Sequence, residues 1–289
     1  MRVFVRWGVP VCVLGSGREV RAENGHDGGR FVEIGSLTKV LTGTALVRMA
    51  RAGLLGVDDP VRRWLPVASG TGITLRHLME HTSGLPRLPP EVWGLSRDPY
   101  AGFGPERLRR LVGRLDEVVE HPAGRETVYS NLGYAVLGAA LEEAAGEPYP
   151  VLLRTHVLEP LGLADEVTAD PPTGRLLTAR GWFGRTRAPW TMSGAILPAG
   201  GLWATPRAIG ALVVGLLVER GLGEPAASWQ RAGHVRWHNG ATRDASVFAG
   251  AFDDTGEWVV VHRLGGRPRT TDRLGARLLL QTRPGHSPS

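Results

Sequence analysis

Apolar positions near both ends of the chain follow the short period of β-strands. Residues 9–14 and 18–22 flank Gly15-Ser16-Gly17, and two such segments on either side of a glycine turn predict a β-hairpin. Three later segments are rich in β-branched and aromatic residues and predict strands at 233–238, 245–252 and 257–264. Strands at both termini predict one sheet to which both ends of the chain contribute.

The middle of the chain carries helix signals instead. Residues 37–47 are apolar, small or Thr except for Lys39, so the helix that they predict is buried on most sides and ends at Gly53. Capping residues before apolar periodicity predict further helices from Asp59-Pro60 onward and at 74–81, 131–145, 205–221 and 272–281.

This order of elements predicts a single α/β (α+β) domain over residues 1–289. We expect the sheet and its helices to come from about 1–52 and 226–283, with a mostly helical insertion from about 53–225 packed against them. A hydrophobic content of 42% over 289 residues is enough to bury a large core.

The charge balance is basic, with a net charge of +6. The arginines occur in runs of at most two, which is not the pattern of a nucleic-acid-binding surface. Residues 105–116 form one basic face, where Arg107, Arg110 and Arg114 lie opposite leucines at helical spacing. Two interpretations are open for this face, an amphipathic helix exposed to water and a docking surface for an acidic substrate or carrier.

Three features bear on the compartment. Cys12 has no partner cysteine, which excludes an intramolecular disulfide and a thiolate metal site. No apolar run approaches the ~20 residues of a membrane-spanning helix. Arg6 interrupts the apolar N-terminal segment, and no small-residue cleavage site follows it. We therefore expect a cytoplasmic protein with no membrane or nucleic-acid partner.

Lys39 is the single lysine of the chain, beside 33 arginines, and it lies three residues after Ser36. Arginine keeps its proton near neutral pH, whereas burial can bring a lysine into its neutral, basic form. One lysine in an arginine-rich chain therefore indicates that its deprotonation is needed. Residues i and i+3 share a helix face, so we expect the Lys39 amine to reach the Ser36 hydroxyl, as a base beside a nucleophile.

Further segments follow Ser36-Leu37-Thr38-Lys39 in a distinctive order. They are His81-Thr82-Ser83-Gly84-Leu85-Pro86, Tyr129-Ser130-Asn131, Pro198-Ala199-Gly200-Gly201 and His238-Asn239-Gly240. Together they resemble the motifs of the serine β-lactamase and penicillin-binding-protein superfamily, in particular its class C β-lactamase-like branch of esterases, D-aminopeptidases and acyltransferases. The resemblance covers nearly the whole chain. It implies an antiparallel sheet flanked by helices, with a helical insertion.

The resemblance also implies a role for each matching residue. Ser36 would be the acylated nucleophile, Lys39 its base and Tyr129 the group that passes the proton to the leaving group. A tyrosine can act as a base only where cations favour the phenolate, a field that Lys39 and His238 would supply. Four residues would bind the substrate. Asn131 would hydrogen-bond the substrate amide or Lys39, and His238 stands where lactamases carry lysine. The N–H of Ala241 would join that of Ser36 in an oxyanion hole, and Arg243 would replace the missing lysine charge.

These roles predict a serine hydrolase or acyltransferase that needs no cofactor and acts on a small-molecule ester or amide. Histidine at 238 and the expected compartment argue against β-lactam and cell-wall substrates. Trp182, Phe183, Trp190 and Trp203 surround the Pro-Ala-Gly-Gly segment and are expected either to line an apolar acyl pocket or to pack in the core. The acyl acceptor, whether water, an amine or an alcohol, and the oligomeric state stay open.

Each residue also fits an ordinary structural role. Tyr129 fits a half-buried tyrosine, Asn131 a helix cap and His238 a hydrogen-bonded strand residue. The prediction therefore rests on their joint occurrence and order in the chain.

Alternatives of other classes remain. His77, Glu80 and His81 match the His-x-x-Glu-His pattern of zinc hydrolases, with both imidazoles on one helix face, although His81 lies close to the helix end. A non-catalytic binding module is a further alternative, opposed by the retention of a nucleophile and its bases. A Ser-His-Asp α/β-hydrolase is excluded because no Gly-x-Ser-x-Gly occurs in the chain.

Overall fold

The structure is a computed structural model that describes residues 8–67, 70–90, 98–179 and 188–283. The strands of these residues are β1 (Val11–Gly15), β2 (Arg18–Glu23), β3 (Val32–Glu33), β4 (Val167–Thr168), β5 (Trp203–Ala204), β6 (Gln230–Ala232), β7 (Val235–Ala241), β8 (Ala245–Phe252) and β9 (Trp258–Leu264).

Both ends of the chain meet in one six-stranded antiparallel sheet with the order β2-β1-β9-β8-β7-β6. The N-terminal hairpin enters it through β1, which pairs with the last strand so that Val13 lies opposite Val261. A small second sheet has the order β3-β5-β4, and its first strand, β3, is the next strand in the chain after the hairpin. The prediction of one sheet made from both termini is therefore confirmed.

The α-helices of the described residues are α1 (Thr38–Arg51), α2 (Leu75–Met79), α3 (Pro105–Val112), α4 (Asn131–Ala145), α5 (Tyr149–Leu153), α6 (Leu197–Gly200), α7 (Pro206–Val213) and α8 (Pro268–Leu280). Helices α5 and α7 each continue into a π-helical segment, Arg154–Leu158 and Val214–Val218. Helices cover both faces of the large sheet. Side chains alternate along each strand, so each strand contributes to the packing on both faces. In β9, Val259 and Val261 pack with Leu279 of α8, whereas Val260 belongs to the main core on the opposite face.

Helix α1 is the central helix of the molecule. Its buried positions include Leu41, Ala45, Leu46 and Met49, as well as the polar Lys39. It contacts α4, α5 and α6 of the central region as well as the turn in front of it. A helix buried on most sides is what its sequence predicts, and it carries Lys39 into an apolar interior.

Helix α8 begins at Pro268, four residues before its predicted start, and two other predicted helices are much shorter in the structure. The segment after Asp59-Pro60 forms one 3₁₀ turn at Val61–Arg63, because the Asp59 carboxylate accepts hydrogen bonds from Gly56 N at 2.8 Å and Trp64 Nε1 at 3.2 Å and holds a loop instead. Helix α2 ends at Met79, since His81 takes a positive φ of 61° that no helix continues. The division into two subdomains stays a prediction.

Helix α3 has the two faces that its sequence predicts. Leu108 and Leu111 are buried, whereas Arg107 and Arg110 are exposed. The exposed face fits an amphipathic helix in contact with water. Over the described part of the chain, no helix has the length and apolar character needed to cross a bilayer.

Candidate active site

Ser36 lies in a 3₁₀ turn, Gly35–Leu37, that leads into α1. The turn passes very close to the end of β7. Gly35 has a φ of +50°, and a Cβ atom there would lie 2.8 Å from the backbone N of Ala241. Only glycine combines this conformation with this approach. The packing leaves Ser36 half-buried at the junction of α1 and the sheet.

Gly240 fixes the same junction from the side of the sheet. A Cβ atom on Gly240 would lie 2.0 Å from the carbonyl oxygen of Ile34 and 3.0 Å from the backbone N of Leu37. The glycine of the His-Asn-Gly segment is therefore required by backbone contact between β7 and the Ser36 turn.

Gly240→Ala tests this contact. We expect the variant to lose about 1–3 kcal/mol of stability, because overpacking forces backbone shifts, and to lose reactivity at Ser36 because β7 moves away. Gly174→Ala is the matched control, since a Cβ atom there meets nothing within 4 Å. Urea unfolding and the rate of fluorophosphonate labelling measure the two effects. A Gly240→Ala protein as stable and as reactive as the Gly174→Ala protein would contradict this role.

Tyr129 is the direct partner of Ser36. Its hydroxyl donates a hydrogen bond to Ser36 Oγ at 2.7 Å. Burial raises the pKa of Tyr129 to about 12, against the opposing effects of the Ser36 hydrogen bond and the Arg87 charge. The resting state therefore has a neutral phenol in contact with the serine hydroxyl.

Lys39 lies beside this pair and is fully buried. Its Nζ donates to Asn131 Oδ1 at 2.8 Å and to the Ala199 carbonyl at 2.5 Å, and it lies 4.7 Å from the centroid of the Tyr129 ring. Burial, assisted by the charge of Arg87, lowers the pKa of Lys39 well below its usual value. The prediction that Lys39 is buried is confirmed, and the direction of its pKa shift agrees with the neutral form expected of it.

The direct contact predicted between Lys39 and Ser36 is not among the hydrogen bonds of the described residues. The Lys39 amine donates its hydrogen bonds to Asn131 Oδ1 and to the Ala199 carbonyl instead. Tyr129 contacts both groups, Ser36 through its hydroxyl and Lys39 through its ring.

Asn131 connects Lys39 to the loop before α3. Its Oδ1 accepts from Lys39, and its Nδ2 donates to Tyr100 Oη at 3.0 Å. The cap of α4 is Ser130, whose Oγ accepts from Gly133 N at 2.8 Å. Because Ser130 takes the capping role, the Asn131 side chain is available to the site, and the helix-cap interpretation of Asn131 is wrong.

His238 lies on β7 and is 2% exposed. Its Nδ1 lies 2.7 Å from the carbonyl of Asn239, and burial, followed by the charge of Lys39, lowers its pKa to about 4. Burial and the lowered pKa argue against the cationic field expected of His238 beside Tyr129. The hydrogen bond to the strand also agrees with an ordinary structural role.

Ala241 places one backbone donor at the Ser36 turn. Thr242 N donates to Ala245 O on the side of β8. Successive N–H groups of a strand point to opposite edges, so the Ala241 N–H points away from β8 and toward Gly35 and Ser36. The Ser36 N–H lies in the first turn of a helical segment, where backbone donors lack helical partners.

Arg243 lies past the end of β7, where its Nη1 donates to the Ala188 carbonyl at 3.0 Å. Burial opposes ionisation of the Asp98 carboxyl, but hydrogen bonds from Thr191 and Tyr100 and then the charge of Arg243 lower its pKa below the usual value. A substrate-binding role for Arg243 stays a prediction.

A cavity of about 330 Å³ next to Gly200 and Gly201 is lined by Trp190 and Trp203. Glu33 also lines it, and burial raises the pKa of this carboxyl to about 7. The cavity is therefore less apolar than predicted. Trp182 and Phe183, the other aromatic residues expected there, lie outside the described residues.

The arrangement of His77, Glu80 and His81 does not fit the zinc site that their spacing suggests. His81 lies beyond the end of α2 with a positive φ, so it does not share a helix face with His77. His77 Nδ1 accepts from Thr74 N at 3.2 Å, and His81 Nδ1 accepts from Ser130 N at 3.1 Å. Within the described ranges, no cluster of three or more His, Cys, Asp or Glu residues is arranged to hold a metal ion.

Two residues at the site have no counterpart in the sequence prediction. Tyr100 lies in a loop, where no hydrophobic periodicity marks it. Its hydroxyl accepts a hydrogen bond from Asn131, and its ring packs edge-on against that of Trp190, with the ring centroids 5.8 Å apart. Arg87 lies with its guanidinium carbon 5.1 Å from the centroid of the Tyr129 ring. Its position directly after the His81–Pro86 segment was the one available signal, and one arginine among 33 does not stand out.

Known proteins with similar sequences include a peptidase and an esterase. The D-alanyl-D-alanine-carboxypeptidase/endopeptidase AmpH of Escherichia coli K12 is 32% identical over 183 residues, which cover 61% of this chain and 46% of AmpH. Esterase EstB of Burkholderia gladioli is 34% identical over 156 residues, which cover 48% of this chain and 39% of EstB. The matched region thus spans less than half the length of either relative.

The fold and the sequence agree on the family. The crystal structure of a β-lactamase/D-alanine carboxypeptidase from Yersinia pestis complexed with citrate superimposes with a TM-score of 0.77 at 20% identity, over 96% of this chain and 93% of that chain. The Beta-lactamase family model matches residues 4–271. A match of this extent, together with the Ser36, Lys39 and Tyr129 arrangement, shows that the chain belongs to the Beta-lactamase family.

Proposed function

We propose that the protein is a serine hydrolase or acyltransferase that forms an acyl-enzyme on Ser36 and acts on a small-molecule ester or amide. The observation that carries the proposal is the 2.7 Å hydrogen bond from Tyr129 to Ser36 Oγ, beside the fully buried Lys39. A nucleophile in contact with a proton-transferring group, next to an amine whose pKa is lowered, is the arrangement that acyl transfer requires.

In the proposed reaction, Ser36 Oγ attacks the carbonyl carbon of the substrate and its proton passes to the Tyr129 and Lys39 pair. The bond between the acyl carbon and Oγ forms, and the bond to the leaving group breaks as Tyr129 returns the proton to it. Water, an amine or an alcohol then attacks the acyl carbon and gives its proton to the Tyr129 and Lys39 pair; the bond to Ser36 Oγ breaks, and the pair returns the proton to Oγ. Tyr129 and Lys39 are 4.7 Å apart, measured from Nζ to the ring centroid, so they are expected to titrate as one coupled unit.

The oxyanion of the tetrahedral intermediate would be stabilised by the N–H groups of Ser36 and Ala241. A preorganised donor of this kind contributes roughly 3–4 kcal/mol to the transition state. The close contact of Gly35 and Gly240 with the opposing backbones supports this role, because it holds the two donors in one place.

Covalent labelling distinguishes this proposal from its alternatives. A fluorophosphonate should label the wild-type protein at Ser36 in the presence of EDTA, because the chemistry belongs to the serine. Ester turnover that EDTA abolishes, in a protein that forms no adduct on Ser36, would favour a metallohydrolase, and a protein with neither turnover nor adduct would favour a non-catalytic binding module. Cytoplasmic residence stays a separate prediction, which cell fractionation tests.

Activated esters are expected to react faster than β-lactams. A buried neutral His238 replaces the permanent cation with which lactamases would meet a carboxylate. Loss of one charged hydrogen bond of roughly 1.5–3 kcal/mol corresponds to about 10- to 100-fold in kcat/KM. Steady-state kinetics with p-nitrophenyl butyrate and nitrocefin measure the ratio, and nitrocefin turnover that matches the ester would overturn this expectation.

A further inference from the structure

Arg87 covers one side of the Tyr129 ring. Its guanidinium carbon lies 5.1 Å from the ring centroid, and the residue is exposed to solvent. Its backbone is fixed, because the Arg87 carbonyl accepts a hydrogen bond from Asn131 N at 2.9 Å. The side chain is thus free to be substituted without disturbing a core, while its main chain is anchored to the first residue of α4.

Tyr129 has many titratable neighbours, but few of them are charged. The titratable and charged groups that face it from the surrounding elements are Lys39, His81, Arg87, Tyr100, Tyr134 and, behind Lys39 and His81, His238.

Burial removes the charge from most of this set. It lowers the pKa of His81 to about 3 and that of His238 to about 4, so both imidazoles are neutral near pH 7. Burial also moves Lys39 toward its neutral amine. A guanidinium keeps its proton under all of these conditions. Within the described surroundings of Tyr129, Arg87 is therefore the cation whose charge does not depend on pH.

The same charge acts on several groups of the site in one direction. After the larger effects of burial and hydrogen bonding, Arg87 lowers the pKa of Tyr129 and of Tyr100. It adds to the effect of burial on the pKa of Lys39. A nearby positive charge favours the phenolate of a tyrosine and the neutral amine of a lysine. These are the two forms that can accept the Ser36 proton.

We propose that Arg87 is a positioning residue that stabilises the phenolate form of Tyr129 while the proton of Ser36 is transferred. The inference rests on the proposed acyl-enzyme function of Ser36. It concerns proton transfer and requires no contact between Arg87 and the substrate.

The test compares Arg87→Gln and Arg87→Lys with Arg107→Gln, a control on the exposed face of α3. The readouts are the pH profiles, from pH 5 to 10, of kcat/KM for the uncharged ester p-nitrophenyl butyrate and of fluorophosphonate labelling of Ser36. Removing the cation raises the pKa of the Tyr129 and Lys39 pair, so the proton-accepting form appears at higher pH. The ascending limb of the Arg87→Gln pH profile should therefore move to higher pH. A shift of about half to one pH unit lowers the rate about 3- to 10-fold at pH 7 and leaves the alkaline plateau nearly unchanged.

Arg87→Lys should retain most of the wild-type profile, and 0.5 M NaCl should reduce the difference between wild type and Arg87→Gln, because exposed charges are screened by salt. An equal loss at every pH would overturn the inference in favour of a binding or structural role. A profile identical to that of Arg107→Gln would also overturn it. Both outcomes leave the proposed function intact, since that function fails only if the wild-type protein forms no adduct on Ser36.

Discussion

Lys39→Arg is expected to lower kcat/KM by about 10³-fold or more, nearly as much as Lys39→Ala. The substitution keeps the charge and much of the bulk of the side chain. It removes the property that the site requires, because a guanidinium with a pKa above ~12 cannot become neutral and accept a proton. Lys39 is fully buried, and burial already lowers its pKa well below the usual value.

The pH profile of the wild-type protein gives a second readout of the same hypothesis. If the neutral amine is the active form, activity should rise with pH through an apparent pKa well below the ~10.4 of a free lysine. That apparent pKa belongs to the coupled Lys39 and Tyr129 pair rather than to either residue. Circular dichroism and urea unfolding of each variant separate loss of the base from loss of the fold. A folded Lys39→Arg protein with a tenth or more of the wild-type kcat/KM would make Lys39 a structural residue.

Ser36→Ala is expected to remove turnover altogether, a loss of about 10³-fold at least and up to about 10⁶-fold where the nucleophile and base act as a unit. The structural cost should be small, because the hydroxyl is half-buried and its side chain accepts one hydrogen bond, from Tyr129. Losing that bond costs roughly 0.5–1.5 kcal/mol. Activity should therefore disappear while the protein stays folded.

Ser193→Ala is the matched control for this substitution, because Ser193 is an exposed serine that lines the neighbouring cavity. Ester hydrolysis by Ser193→Ala should equal that of the wild type. Residual turnover by Ser36→Ala above a hundredth of the wild-type rate would assign the reaction to another nucleophile.

Local signals in the sequence determined much of the fold. The hairpin at β1 and β2 follows from apolar strands around a glycine turn, and α4 follows from the apolar residues after Asn131 and from Gly146 after its last residue. Asp59-Pro60 has the same kind of start signal and yet forms only a 3₁₀ turn. The Asp59 side chain bonds to both sides of the loop there, a contact that no local pattern displays.

The catalytic pattern was visible for residues that occupy fixed motif positions, and less so for those that meet through packing. Ser36, Lys39 and Tyr129 could be chosen from their order in the chain, and the structure brings them together. The hydrogen bonds of Lys39 and the burial of His238 depend on tertiary packing, so the sequence did not show that Lys39 bonds to Asn131 and Ala199 or that burial opposes a charge on His238. Arg87 reaches Tyr129 from a separate loop, so its proximity depends on tertiary structure alone.

The most direct test of the account is intact-protein mass spectrometry after rapid quenching with a panel of esters, thioesters, amides and β-lactams. The account predicts a mass increase equal to the acyl group of at least one reactive ester, mapped by peptide digestion to Ser36 and absent from Ser36→Ala. The adduct should decay as product forms. An adduct of the same mass on Ser36→Ala, or ester turnover by the wild type with no adduct at Ser36 at any quench time, would contradict the acyl-enzyme on which the proposed function rests.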